Sequence, residues 1–126
     1  MSNTVAGLLV TVLAVCFIAM VPAGNAAAQE AAYVGTWALD SKQHAKQCKL
    51  TQDQQGAPLE VKKNRLDQHE AHCVFASVRA SSARWEVRAN CTIEGSKERR
   101  NMVLSIKDKR LTVRWGDGVT TTYRRC

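Results

Sequence analysis

The sequence lacks the short motifs that mark the common enzyme classes. It contains no Gly-x-Ser-x-Gly nucleophile motif, no P-loop and no dinucleotide-binding fingerprint. Its acidic residues are dispersed and form no pair suited to general acid–base catalysis. His72 and Cys73 are adjacent, so on a strand their side chains point to opposite faces and cannot form a base–nucleophile pair. We therefore expect a binding protein rather than an enzyme, with no cofactor.

Residues 1–28 contain no charged side chain. An apolar run from Val5 to Val21 ends at Pro22–Asn25, and the small residues Ala26–Ala28 follow. This order predicts an N-terminal signal helix that is cleaved after Ala28, although no Lys or Arg precedes the apolar run. A retained membrane anchor is the alternative, because a run of this length is at the short limit for a membrane span. We expect the protein to be periplasmic or secreted.

The remaining residues, 29–126, are enough for one domain and not for two. All the charged side chains lie in this part, so the formal net charge of +7 belongs to it. A domain of this size has a marginal hydrophobic core, and covalent cross-links would contribute much of its stability.

The segment Arg84–Glu94 alternates between apolar and polar side chains without a break. A period of two indicates a β-strand with one buried face and one face in water. A long polar loop with one helical turn is expected between Asp40 and Pro58. Short strands separated by turn residues predict an all-β domain, a small antiparallel meander closed into a barrel or a two-sheet sandwich. The other predicted strands are Tyr33–Leu39, Leu59–Lys62, Cys73–Arg79, Met102–Ile106, Leu111–Trp115 and Val119–Tyr123.

Centring each hairpin on its turn residues gives a register for the C-terminal strands. It places Ile93 opposite Met102, and Cys91 opposite Leu104. It also pairs Leu104 with Val113 in the next hairpin. Five large rings would fill the interior, which favours a packed core over a ligand cavity. These rings are Trp37, Phe75, Trp85, Trp115 and Tyr123.

Four cysteines lie after the expected cleavage site, at positions 48, 73, 91 and 126. An even number in a short exported chain predicts two disulfide bonds. A hairpin centred on Ser82 places Cys73 opposite Cys91, and elimination then pairs Cys48 with Cys126. The alternative is the sequential pairing, in which Cys48 joins Cys73 and Cys91 joins Cys126.

Two short features resemble known families of small barrels. The Gly35-Thr36-Trp37 segment resembles the Gly-x-Trp that opens the first strand of lipocalin- and avidin-like barrels, which would imply a carrier of a small apolar ligand. The terminal Cys126 is similar to that of periplasmic C-type lysozyme inhibitors, in which the last cysteine is bridged back towards the start of a small barrel. That resemblance favours the Cys48–Cys126 bond, but a domain of charge +7 would repel basic lysozymes.

A metal site is the alternative use of two of these cysteines. His44 precedes Cys48 by four residues, and His69 precedes Cys73 by the same spacing. Two sulfur and two nitrogen ligands would suit zinc or copper in a periplasmic metal-binding protein. On a strand, residues four apart lie about 13 Å from each other, so each pair would need a loop or a helical turn.

A row of basic side chains is expected on the outer face of the sheet. The predicted register puts Arg88 opposite Lys107, Lys107 beside Arg110, and Arg110 opposite Arg124, with Arg114 nearby. Such a row would bind an anionic cell-envelope polymer or an acidic protein. Nucleic acid is not expected, because the aromatic residues alternate inward and cannot stack on bases. The sequence thus predicts a monomeric exported binding or inhibitor-like domain.

Overall fold

In the computed structural model, which describes residues 32–126, the chain forms a closed antiparallel barrel of eight strands. Each strand pairs with the next in sequence, and the last pairs with the first. The prediction of a small all-β meander closed into a barrel is therefore confirmed. The strands are β1 Gly35–Leu39, β2 Leu59–Lys62, β3 Arg65–Gln68, β4 Ala71–Ser81, β5 Arg84–Ile93, β6 Ser96–Lys107, β7 Arg110–Trp115 and β8 Thr120–Arg125.

One helical turn, α1 (His44–Gln47), lies in the long loop between β1 and β2. Its half-buried and buried side chains face the barrel, and the Gln47 side chain accepts a hydrogen bond of 2.7 Å from the backbone N–H of Leu39. Within the described part of the chain, no helix has the length and apolar character that a membrane crossing requires. The predicted signal helix and its cleavage site lie outside the described residues.

Strand β5 has the alternation that the sequence predicts. Its apolar residues Trp85, Val87, Ala89 and Cys91 are buried, and the polar residues between them are exposed. The buried face packs against the inner faces of the other strands, because period-two alternation turns every second side chain inward.

The predicted register is correct for the last two hairpins and wrong for the hairpin of β5 and β6. Leu104 pairs with Val113, as predicted. Ile93, however, pairs with Ser96 rather than Met102, a shift of six positions. The cause is a two-residue turn at Glu94 and Gly95, both with positive φ (48° and 82°), which lets Ser96 begin the next strand. An even shift leaves each side chain on its predicted face.

Strand β4 extends beyond its neighbour β3, a four-residue strand that the sequence analysis missed. Only the first residues of β4, Ala71 to Val74, pair with β3. A bulge between Phe75 and Ser77 shifts the register against β5, and every residue from 76 to 81 is exposed. The second half of β4 therefore pairs with β5 alone.

Large side chains fill the interior of the barrel. Trp37, Phe75, Trp85 and Tyr123 are buried as predicted, whereas Trp115 is only partly buried. Tyr33 contributes the fifth ring of the core in place of Trp115. It is 1% exposed and packs edge-on against Trp85 at a centroid distance of 5.2 Å. The interior is therefore a packed core, as expected for a barrel of this size.

Two disulfide bonds join the cysteine pairs that the sequence analysis favoured over the sequential pairing. Cys73 and Cys91 are directly opposite each other on β4 and β5, with their Cα atoms 4.0 Å apart. Cys48 and Cys126 tie the loop after α1 to the residue after β8, with a Cα separation of 5.4 Å. The first bond lies in the core, and the second lies at the surface.

The Arg125 side chain fastens β8 over the start of β1. Its guanidinium group lies 4.3 Å from the Trp37 ring centroid and donates hydrogen bonds of 2.8 Å to the carbonyl oxygens of Val34 and Ala32. Any side chain at Gly35 would collide with this guanidinium group. The Gly-x-Trp segment therefore has a structural role here, because it leaves room for an arginine on a tryptophan face.

Candidate functional site, a basic outer groove

A groove with a volume of about 620 Å³ crosses the outer face of β4, β5, β6 and β7. Its basic lining residues are Arg79, Arg88 and Arg114. The other residues along it are Ser77, Val78, Glu86, Val87, Asn101, Met102, Val103, Trp115 and Gly116.

The register of the strands explains why these residues meet. Arg88 is opposite both Ser77 on β4 and Asn101 on β6, which makes one outward row. A second outward row includes Glu86 and Arg114. Between the rows lie Val87 and Met102, whose side chains point inward and belong to the core, so the groove is a trough between two lines of polar side chains.

A second depression of about 510 Å³ adjoins this groove and shares Arg88 and Asn101 with it. It brings in Asn90 and Arg99, which pair with each other across β5 and β6. The two depressions form one continuous surface, which we call the outer groove. Guanidinium groups and side-chain amides are donors that suit the oxygen atoms of carboxylates, phosphates and sulfates.

The arginines of the outer groove differ in their partners. Arg79 forms an ion pair with Glu86 across the hairpin of β4 and β5. Arg88, Arg99 and Arg114 are exposed and make no ion pair within residues 32–126. The outer groove therefore holds three arginine charges that this part of the chain does not neutralise.

The predicted basic row is not continuous. Lys107 pairs with Arg110, and Arg110 with Arg124, as predicted. Arg88, however, is opposite Asn101 and not Lys107, because of the shifted β5–β6 register. The row therefore separates into the outer groove, which includes Arg88 and Arg114, and a group at the ends of β6, β7 and β8.

In the second group, two arginines bind one carboxylate that the sequence analysis did not connect with them. The Nε atoms of Arg110 and Arg124 lie 2.8 and 2.7 Å from the two carboxylate oxygens of Asp40. The hydrogen bond from Arg110 and the charges of both arginines hold the pKa of Asp40 below its ordinary value. Asp40 therefore already pairs with two of the five basic residues that were predicted to bind an anion.

The proposed set of four metal ligands is not assembled. Cys73 is bonded to Cys91 in the core, and the backbone N–H of His69 donates to the side-chain oxygen of Gln52. Within residues 32–126, the one group of potential ligands close enough to share an ion consists of His44, Cys48 and Cys126. His69 and Cys73 are therefore excluded from a common site with His44 and Cys48.

A cluster in which the exposed side chains of Arg65 and His72 cover the buried Asp67 was also missed. Asp67 is 7% exposed and accepts two hydrogen bonds from Arg65, of 2.7 and 2.8 Å, and lies 2.8 Å from Nδ1 of His72. Burial raises the pKa of Asp67, but the hydrogen bonds from Arg65 and His72 outweigh it, so the pKa lies below its ordinary value. This cluster links β3 to β4 and has a structural role. Asp67 is opposite His72 on the paired strands, but β3 is too short for its period to point to this contact.

No protein-family model, curated protein or solved structure matches this chain. The likenesses to lipocalin-like barrels and to lysozyme inhibitors consequently rest on the few residues that suggested them.

Proposed function

We propose that this domain is an exported binding protein that holds an extended anionic ligand, a carboxylated, sulfated or phosphorylated cell-envelope polymer, in the outer groove. The observation that supports this most directly is the set of three arginines, Arg88, Arg99 and Arg114, which line one groove without an ion pair within residues 32–126. Like charges on one sheet face repel each other, and a bound polyanion would relieve that repulsion.

The spacing of the arginines favours a ligand with several anionic groups. Arg114 is opposite Val103, and Arg99 lies four residues before Val103 on the same strand. Strand geometry then places the Cα atoms of Arg99 and Arg114 about 14 Å apart, with Arg88 on the neighbouring strand. A single small oxyanion would contact one of these groups, whereas a polymer laid along the groove would contact all of them.

The choice of residue also favours oxyanion recognition. A guanidinium group is planar and can donate two parallel hydrogen bonds to one carboxylate, sulfate or phosphate group. The amides of Asn90 and Asn101, on the same face, add donors and acceptors that can contact hydroxyl groups. Trp115 is the one aromatic residue among those that line the outer groove, so successive bases would find no series of rings and single-stranded nucleic acid is a weaker fit.

A binding experiment with matched charge variants tests this proposal. The protein is titrated with an anionic polysaccharide, and separately with an acidic protein and with single-stranded DNA. Arg88→Glu with Arg114→Glu should abolish polysaccharide binding. Arg110→Glu with Arg124→Glu changes the net charge equally and should have a much smaller effect, because Asp40 already occupies those arginines.

Three results would contradict the proposal. Polysaccharide binding could be absent at low ionic strength. The two double variants could lose the same affinity, which would mean that only net charge matters. The acidic protein or the DNA could bind more tightly than every polysaccharide, which would reassign the ligand.

A further inference from the structure

The surface disulfide and a neighbouring histidine form a set of potential ligands that the outer groove does not involve. The ligand atoms of His44, Cys48 and Cys126 all lie within 4.8 Å of one another. His44 begins α1 and Cys48 follows its last residue, so the four-residue spacing places both on the same side of one helical turn. Cys126 arrives from the end of β8, through the Cys48–Cys126 bond.

We propose that reduction of the Cys48–Cys126 bond converts this cluster into a zinc site with two thiolates and one imidazole as ligands. Two sulfurs, one nitrogen and a water molecule are a known ligand set for a tetrahedral zinc ion with one open position. This site is independent of the outer groove.

The ligand atoms are already close, and the main rearrangement is a turn of the His44 ring. In a tetrahedral site with Zn–S bonds of about 2.3 Å, two sulfur ligands lie about 3.8 Å apart, and a sulfur and a nitrogen slightly less. The Cys48 sulfur lies 3.9 Å from Nδ1 and 3.8 Å from Nε2 of His44, so it is on neither lone-pair axis and the ring must turn to direct Nδ1 at the ion. After the disulfide is reduced, the two sulfur atoms would need to move apart by less than about 2 Å to reach this separation.

The hydrogen bonding of His44 assigns the ligand atom. Its Nε2 lies 3.2 Å from the carbonyl oxygen of Arg124, and a carbonyl can only accept. In the neutral ring Nε2 therefore carries the hydrogen, and the Nδ1 lone pair is available beside the Cys48 sulfur. In zinc sites, the ring nitrogen of a histidine ligand that does not bind the metal commonly donates a hydrogen bond to a group such as a backbone carbonyl.

The two disulfides differ in their access to a reductant. Cys126 is exposed and Cys48 is half-buried, whereas Cys73 and Cys91 are 0% and 3% exposed. A small dithiol would transfer two electrons, becoming a cyclic disulfide while Cys48 and Cys126 become thiols. Zinc would then displace the two thiol protons and bind the thiolates and Nδ1. The core bond would stay intact and hold β4 to β5.

Zinc binding by the full chain tests the proposal. After mild dithiol treatment and removal of the reductant under nitrogen, zinc is titrated in competition with a chromophoric chelator. One zinc ion per chain is expected for the reduced protein and none for the oxidised protein. Cobalt(II) in place of zinc should give the visible bands of a tetrahedral ion and the ultraviolet band of a thiolate ligand.

Matched histidine variants and cysteine mapping complete the test. His44→Ala should weaken zinc binding by roughly tenfold or more, and His69→Ala should leave it unchanged. Alkylation of the reduced protein, mapped on peptides, should label Cys48 and Cys126 but not the core pair. Equal affinity of the His44→Ala variant and the wild type, labelling of Cys73 and Cys91 as well, or no zinc bound after reduction would overturn the proposal.

Discussion

Replacing Arg125 with alanine should destabilise the barrel more than any other single change to an exposed arginine. The side chain makes three contacts at the point where β8 closes onto β1. Its guanidinium group donates hydrogen bonds of 2.8 Å to the carbonyl oxygens of Val34 and Ala32, and it lies 4.3 Å from the Trp37 ring centroid. The substitution removes all three contacts and exposes one face of Trp37.

The size of the effect follows from these contacts. A hydrogen bond from a charged donor contributes about 1.5 kcal/mol at the lower end of its range, which suits an exposed side chain. The cation–π contact adds about 0.5–1 kcal/mol. Relaxation and replacement by water reduce the sum, so we expect a loss of about 2–3 kcal/mol from a total of about 5–15 kcal/mol. Arg125→Lys should lose about half as much, because lysine keeps the charge but not the planar pair of donors.

Urea denaturation of the oxidised protein, followed by tryptophan fluorescence, measures this loss. Arg84→Ala is the control, because Arg84 is exposed and forms no ion pair within residues 32–126. The control should change the free energy of unfolding by no more than about 0.5 kcal/mol. If the Arg125→Ala and Arg84→Ala variants unfold at the same urea concentration, the proposed fastening of β8 to β1 is wrong.

Three further predictions concern stability. Asp67 has a lowered pKa in the folded state, so its ionised form stabilises the fold above the unfolded pKa of about 4, and this contribution is lost as the pH falls through the folded pKa. Asp67→Asn should therefore flatten the acid limb of a plot of melting temperature against pH, and an unchanged limb would refute this role. Changing Cys48 and Cys126 together to alanine opens a loop with a sequence separation of 78. We expect a loss of up to about 4.5 kcal/mol in chemical denaturation, and a loss below about 1 kcal/mol would contradict the stabilising role. Glu94→Asn should raise the free energy of unfolding by about 0.5 kcal/mol, since asparagine tolerates the positive φ of 48° better than glutamate; a decrease would show that the Glu94 side chain stabilises the turn.

Local alternation in the sequence was enough to predict the barrel. In β5 every second residue is apolar, and the same pattern in β7 fixes which face of each strand is buried. The turn around Asp108 is short, so centring its hairpin gave correct pairs. Centring on Ser82 paired Cys73 with Cys91 because the bulge between Phe75 and Ser77 offsets a turn that is centred one half-residue later. Period-two patterns and short turns are local properties, and a single sequence displays them directly.

The site was harder to predict, because it depends on the register between β5 and β6. Ser96 to Arg100 is a polar segment, which suggests a turn. Each of its residues nevertheless pairs with a residue of β5. A Glu-Gly turn lacks the asparagine or aspartate that usually marks a two-residue hairpin loop. The resulting error of six positions left every side chain on its correct face. It placed Arg88 opposite Lys107, whereas its partner in the structure is Asn101.

Asp40 and Asp67 show a second limit of the sequence. Asp40 is separated in sequence by 70 residues from Arg110, and by more from Arg124, the two arginines that it binds. Asp67 lies in a four-residue strand that is too short to show a clear period. Contacts between distant segments depend on the closure of the barrel, which local patterns do not encode.

An NMR titration of the isotopically labelled protein with an anionic polysaccharide tests the central proposal most directly. The account predicts that the largest chemical-shift changes, at low ionic strength, fall on the outer groove, at the amides and guanidinium groups of Arg88, Arg99 and Arg114. It also predicts that the signals of Arg110 and Arg124, which are already paired with Asp40, change little. Shifts concentrated at Arg110 and Arg124, or spread evenly over every basic side chain, would contradict it.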